Sequence, residues 1–377
     1  MLHLALVLSV GAITAASDDS PLKFERQRIG DVTYEACCIA DINNDGKKDI
    51  VSGEYWFEGP DFTASHKICT IRRELDYYDD FSDYPMDVNG DGYVDIVTGG
   101  WFGETLSWRE NPKGQPVEWT THEIAKCGNI ERPMFYDIDG DGDVEVIPNL
   151  PGTKYISIFK LVRDSQGKGT GQFKETKIYE NSAGHGMGFG DINGDKHVDI
   201  VLPWGWLEAP ADTYTGTWIE HRDTFNLGGA SCPILTYDVN KDGKNDIIVG
   251  QGHDYGLHWY EQKADGTWEK HDIDTERSQY HDMMLVDVNN DGVDDVVTGK
   301  RYRAHQEHDP GSLDPVGVYY FTVDGGKFTR NTVDYGPADQ HSGVGIFCWV
   351  EDIDGNGWKD ILAPGKEGMY LFKNMGK

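Results

Sequence analysis

Oxygen-bearing side chains recur in this chain at a spacing that suits a hard cation. Seven nine-residue phrases carry Asp, Asn or Glu at positions one, three, five and nine, and six of the seven have glycine at position six. The donors are Asp41, Asn43, Asp45 and Asp49; Asp87, Asn89, Asp91 and Asp95; Asp137, Asp139, Asp141 and Glu145; and Asp191, Asn193, Asp195 and Asp199. The remaining sets are Asp238, Asn240, Asp242 and Asp246; Asp287, Asn289, Asp291 and Asp295; and Asp352, Asp354, Asn356 and Asp360. This is most of an EF-hand calcium loop without the distal bidentate Glu. A β-branched pair such as Ile50 and Val51 follows where a helix would follow an EF-hand, so a strand leaves each loop. Up to seven structural Ca2+ sites are expected. The copy at Asp137 is richest in carboxylates, whereas Lys196 at the turn position and Asn356 at position five predict weaker binding in their loops.

A second set of residues has the types for acid–base chemistry. If the phrases lie on one face, the remote ends of the strands that flank them lie on the other. That rim collects Glu35, Glu131, His185 and His281 at strand starts, with Glu54, Lys300, Arg301 and Lys366 beside them. His253 and Asp254, the long stretch carrying Tyr302, His305, His308 and Asp309, and His341 map to the same rim. Histidine can serve as a general base near neutral pH, and Lys or Arg beside it can stabilise an enolate. The expected catalytic residues are His185, His281, Lys300, Arg301, Tyr302, His305, His308 and His341. Glu54, Trp101, Trp204, His253, Asp254 and Lys366 are expected to bind substrate. His305 and His308, three apart with Asp309 adjacent, are also compatible with a transition-metal site. For any single histidine a hydrogen-bonded channel residue is the blander alternative, and aromatic residues in such positions commonly pack. The clustering of six histidines on one rim is what favours a site.

The elements that would position these groups follow from the spacing. Successive phrases begin 46 to 65 residues apart, the length of a four-stranded propeller blade. Each unit has an alternating apolar strand before the phrase, a β-branched strand after it, an aromatic strand, and then a polar strand. The last unit lacks its fourth strand, and residues 24–29 have that strand's pattern. Seven third strands and seven fourth strands balance only in a ring, which removes exposed sheet edges. The expected fold is all-β: residues 22–377 form one seven-bladed β-propeller closed by pairing an N-terminal strand into the last blade.

Composition narrows the function classes. The formal net charge of −31 makes nucleic acid an improbable partner. The apolar run at residues 4–10, ending in small residues near Ala16, is expected to be a signal peptide over residues 1–16, for a secreted or periplasmic protein. No later segment predicts a transmembrane helix. Six cysteines permit disulfides, but burial as small hydrophobes is the simpler expectation. No P-loop, GxSxG elbow, HExxH or dinucleotide fingerprint stands in a suitable context.

The phrases resemble the FG-GAP and VCBS repeats, a resemblance that implies a seven-bladed propeller with calcium in the hairpin between the first two strands of each blade. Residues 281–311, with His281, Lys300, Arg301, His305 and His308, and the stretch Gly184-His185-Gly186, resemble the propeller domain of aldos-2-ulose dehydratases. That resemblance implies β-elimination of water from a keto-sugar, a histidine base (His281 or His185), and an additional divalent metal at the catalytic face. The fungal enzymes carry cupin domains after the propeller, so an isomerase step housed there is expected to be absent. The alternative is a non-catalytic propeller that binds glycans or proteins. If the loops hold calcium, chelation should lower the melting temperature substantially in a thermal scan, and an unchanged scan would overturn the metal expectation.

Overall fold

The computed structural model describes residues 21–377, so the expected signal segment lies outside the described residues. Seven four-stranded antiparallel sheets form the blades. Their inner strands are Cys38–Ala40, Tyr84–Met86, Arg132–Tyr136, Gly188–Gly190, Leu235–Tyr237, Tyr280–Val286 and Trp349–Glu351. The ring closes as the displaced strand predicts. Phe24–Arg28 runs antiparallel to Tyr370–Asn374, with Phe24 opposite Asn374 and Arg28 opposite Tyr370. A parallel bridge from Ala36 to Phe347 joins the first blade to the last at the channel.

The core lies between blades, because each sheet presents apolar side chains to both neighbours. Blades six and seven, for instance, share Val297, Val318, Tyr320, Ile361 and Phe372, and Leu22 from the closing segment packs with them. Inner strands come close enough to require glycine in places: a Cβ on Gly188 would sit 2.2 Å from the Ile234 carbonyl oxygen.

The seven phrases form hairpin loops of one design. The position-one carboxylate accepts N–H groups from within its loop, as Asp41 does from Asp45 (3.1 Å) and Gly46 (2.9 Å). The position-six residue always has positive φ, including Lys196 at 74°. The position-nine carboxylate is buried in every copy. Asp49 accepts the Ile42 N–H at 2.9 Å and the Gly59 N–H at 2.8 Å, so it ties the loop to the third strand.

A device absent from the sequence expectations recurs on the outer strands of blades one, two, four and five. Trp56, Trp108, Trp206 and Trp259 each face a histidine on the fourth strand, with ring centroids 4.0–4.5 Å apart. Those histidines (His66, His122, His221 and His271) lie 2.7–3.2 Å from Glu58, Glu110, Glu208 and Glu261 respectively. The stack covers the indole face and orients the carboxylate two residues beyond each Trp.

All six cysteines are free and buried, and burial pushes their thiols up, so none is a ready nucleophile. Deleting the closing segment through Arg28 would expose a strand edge and remove buried Leu22. The expected loss is at least about 3 kcal/mol, with added aggregation, read from the urea midpoint and light scattering.

Candidate active site

Three charged contacts at the central channel tie together blades that are not neighbours. Glu131 on blade three meets His281 on blade six at 3.1 Å, and Arg132 meets Asp282 at 3.0 Å. Arg301 on blade six meets Glu35 on blade one at 2.8 Å. All six residues are buried. Arg132 also lies over the Phe347 ring, 4.4 Å from its centroid.

Around the first of these contacts, Glu131, His185, His253 and His281 place one ligand atom each within 4.8 Å of one another. His185 Nε2 is 3.3 Å from Glu131 Oε1 and 2.9 Å from His253 Nε2. The far nitrogens are already committed. His185 Nδ1 donates to the Ala230 carbonyl at 2.8 Å, and His253 Nδ1 faces Asp309 Oδ2 at 2.8 Å. With both Nδ1 atoms protonated, the two Nε2 lone pairs face each other unless a cation stands between them, which can be a metal ion or the His185 proton that Glu131, against the effect of burial, favours by holding this imidazole above its usual range. Burial, with the neighbouring positive groups, holds His253 and His281 down to about 3, so both rings are neutral donors at pH 7. Burial opposes ionisation of Glu131, but the charge and hydrogen bond of His185 and the hydrogen bond of His281 hold it well below the usual carboxylate range. Gly252 leaves the needed space: a Cβ there would lie 3.1 Å from His281 Cδ2. Three imidazoles and a carboxylate fit a borderline transition ion such as Zn2+ better than Ca2+.

A cavity of about 350 Å3 opens beside this cluster, lined by Tyr77, Phe81, Trp101, Phe102, Glu131, Arg301, His305 and His308, with Leu75 and Gln306 at its edge. Asp309 joins the cavity to the cluster, since its second oxygen is 2.9 Å from His305 Nδ1. The His305 ring stacks on His253, with centroids 4.3 Å apart at 16°. The segment that carries His305 is strained: Arg303, His305, Gln306 and Glu307 all have φ between 46° and 75°. Such strain persists only where neighbours over-determine it, and it concentrates at working sites. Here the His305 N–H donates to the Tyr77 hydroxyl at 2.6 Å, and Arg303 pairs with Glu307 at 3.0 Å.

The expected residues therefore divide. His185, His253 and His281 form the donor cluster, while Arg301, Trp101, His305 and His308 line the cavity. Lys366 stands one layer back, 3.6 Å from the Tyr77 ring centroid and 3.2 Å from Asp76. Lys300 is buried with Nζ 3.3 Å from Ser278 Oγ and does not line the cavity. Glu54 accepts the Ile71 N–H, His341 sits 2.7 Å from Asp334, and Arg222 covers Trp204. Tyr302 is half-buried and Asp254 exposed, both outside the lining. The sequence reading missed the hairpin Arg73–Glu74 and Tyr77–Tyr78, which brings Tyr77 to the cavity. Its signal was the Asp76-Tyr77-Tyr78 run inside an unusually long connection between blades one and two.

The FG-GAP-like repeat matches residues 87–147 and 238–298. Two stretches of this seven-bladed propeller therefore carry the FG-GAP-like repeat. Solved structures with similar folds include an Agrocybe aegerita lectin described as recognising non-reducing terminal N-acetylglucosamine. It is 16% identical, with 94% of this chain and 87% of that chain covered and a TM-score of 0.47. BBS1N in complex with ARL6DN is 12% identical, with 94% and 97% covered and a TM-score of 0.56. Saccharomyces cerevisiae Sqt1 is 12% identical, with 96% and 100% covered and a TM-score of 0.47. At these identities the likeness is one of fold. No curated protein matches the chain. No helix among the described residues is long and apolar enough to cross a membrane.

Asp309 gives a direct test of the donor cluster in this propeller. Asp309→Asn should weaken cobalt(II) binding about 10–100-fold by loosening His253, as read from the ion's visible absorption. An unchanged affinity would remove His253 from the ligand set.

Proposed function

We propose that this propeller is an exported, calcium-stabilised lyase that eliminates water from a keto-sugar at the mouth opposite its acidic loops. The observation that carries the reading is the line His253–Asp309–His305, which runs from a partly buried donor cluster to a cavity with aromatic walls. Asp309 accepts the Nδ1 proton of His305, which leaves the exposed ring's Nε2 lone pair free to act as a base. Trp101 supplies a face for a sugar ring.

In this reading His305 removes the proton from the carbon beside the carbonyl, and the enolate charge faces Arg301. The C–O bond at the next carbon then breaks. Its oxygen leaves as water with the proton that His305 has taken, and a conjugated enone remains. His281 is fully buried and its Nε2 faces Glu131, so the base role moves from His281 or His185 to His305. A divalent ion held by Glu131, His185, His253 and His281 would supply Lewis acidity toward the carbonyl oxygen. On the far face, burial drives the position-nine carboxylates Asp95 and Asp295 up to about 7, a cost that Ca2+ in the loops would offset. The leader-like residues 1–16 support export, where calcium is abundant.

His305→Ala should lower turnover about 10²–10⁴-fold and leave cobalt(II) binding intact. Turnover is followed as enone absorbance with keto-sugars such as 1,5-anhydrofructose, with calcium present. No absorbance change from the wild-type protein with any keto-sugar or uronate polymer would overturn the reading.

A further inference from the structure

The loop with the most carboxylates is the one whose cation position is already filled. Lys160 follows Phe159, the cross-strand partner of Val146, and so stands beside the position-nine residue Glu145. Its ammonium lies 2.6 Å from Asp139, 2.7 Å from Asp141 and 2.9 Å from Glu145. Tyr214 donates its hydroxyl to Asp139 at 2.8 Å from the side. Arg163 neutralises the extra carboxylate of this copy, Asp143, at 2.5 Å.

The other blades are built differently at this place. The residues that correspond to Lys160 are Glu58, Glu110, Glu208 and Glu261 in blades one, two, four and five. Each is held by the histidine stacked on its blade's tryptophan. Glu110 and Glu261 also accept the side-chain amide of the position-three Asn, at 3.3 Å and 3.2 Å. In those blades the third strand adds negative charge at the loop, which favours a bound cation. Lys373 is the counterpart in blade seven, but it lies over the Phe62 ring, 5.9 Å from its centroid. Asp352, Asp354 and Asp360 there converge as Asp137, Asp139 and Glu145 do in blade three, so what sets blade three apart is the lysine paired with two of its three carboxylates. Blade three alone combines a lysine aimed into the loop with Glu at position nine, whose extra methylene brings its oxygen to that lysine.

We propose that Lys160 is the built-in cation of the blade-three loop, so this blade takes no calcium ion and stays formed when the ion is withdrawn from the others. Ca2+ would need the same oxygens at about 2.3–2.6 Å. An ammonium 2.6–2.9 Å from those oxygens occupies that space and repels a second cation. The expected seventh site is therefore absent, and the copy with most carboxylates is the one that binds no ion.

The test is calcium equilibrium dialysis of the full chain, alongside thermal scans in EDTA and in calcium. Lys160→Gln should bind one more calcium per molecule than the wild type. Its melting temperature should fall in EDTA and recover when calcium is added. Lys160→Arg, which keeps the charge, and Asp141→Asn in the otherwise wild-type chain should leave the count unchanged. An unchanged count in Lys160→Gln, or one ion fewer in Asp141→Asn, would overturn the proposal. If Lys160→Gln folds only with calcium, the recovery itself supports it, and failure to fold in either condition leaves Asp141→Asn to decide. Should the wild type bind no calcium while Lys160→Gln binds one ion, the calcium reading of the other loops fails and this inference stands.

Discussion

Seven buried carboxylates hold the propeller together. Each closes a hairpin by accepting a backbone N–H from its second residue, at 2.8–3.1 Å in every blade. In five blades the other oxygen takes an N–H from the third strand, at 2.7–2.8 Å. Side-chain acceptors thus serve amides that sheet pairing leaves unsatisfied just where two strands diverge. Removal of such a carboxylate would orphan two donors at once, which is why the position is acidic in all seven copies. The loop oxygens at positions one, three and five can then face outward.

The same frame explains why the two faces differ in kind. On the loop face the hairpin geometry repeats from blade to blade. On the opposite face nothing repeats. Glu131, His185, His253 and His281 come from four different blades, and Tyr77 and His305 arrive on two insertions that meet across the mouth. A rigid ring brings residues 150 positions apart to 3.1 Å, as with Glu131 and His281, where burial keeps the imidazole neutral while the neighbouring histidines keep the carboxylate ionised.

Blade number, strand order and ring closure were legible because each rests on local spacing that repeats. The individual site was less so. Lys300 and Arg301 are neighbours in sequence, yet successive strand residues face opposite ways: one ends beside Ser278, the other lines the cavity. No spacing distinguishes them without the register. Glu131 was visible at the rim, but its role as the hub of three histidines depends on contacts across the channel. Lys160 was hidden for the same reason, since only the pairing of Val146 with Phe159 places it over the loop. The tryptophan–histidine pairs left a readable trace, Trp-x-Glu on one strand and His on the next, that becomes meaningful once the strands are paired.

The cross-channel pair Arg132 and Asp282 has a consequence for traffic. Below it lies a second cavity of about 490 Å3, walled by Tyr84, Phe135, Phe189 and Trp349, whose residues do not include those of the histidine mouth. With Phe347 against the guanidinium, this buried pair stands between the two cavities, Arg132 lining the one and its neighbour Glu131 the other. The two mouths of the ring are thus separate compartments, and a ligand held at one shares no wall with a ligand held at the other.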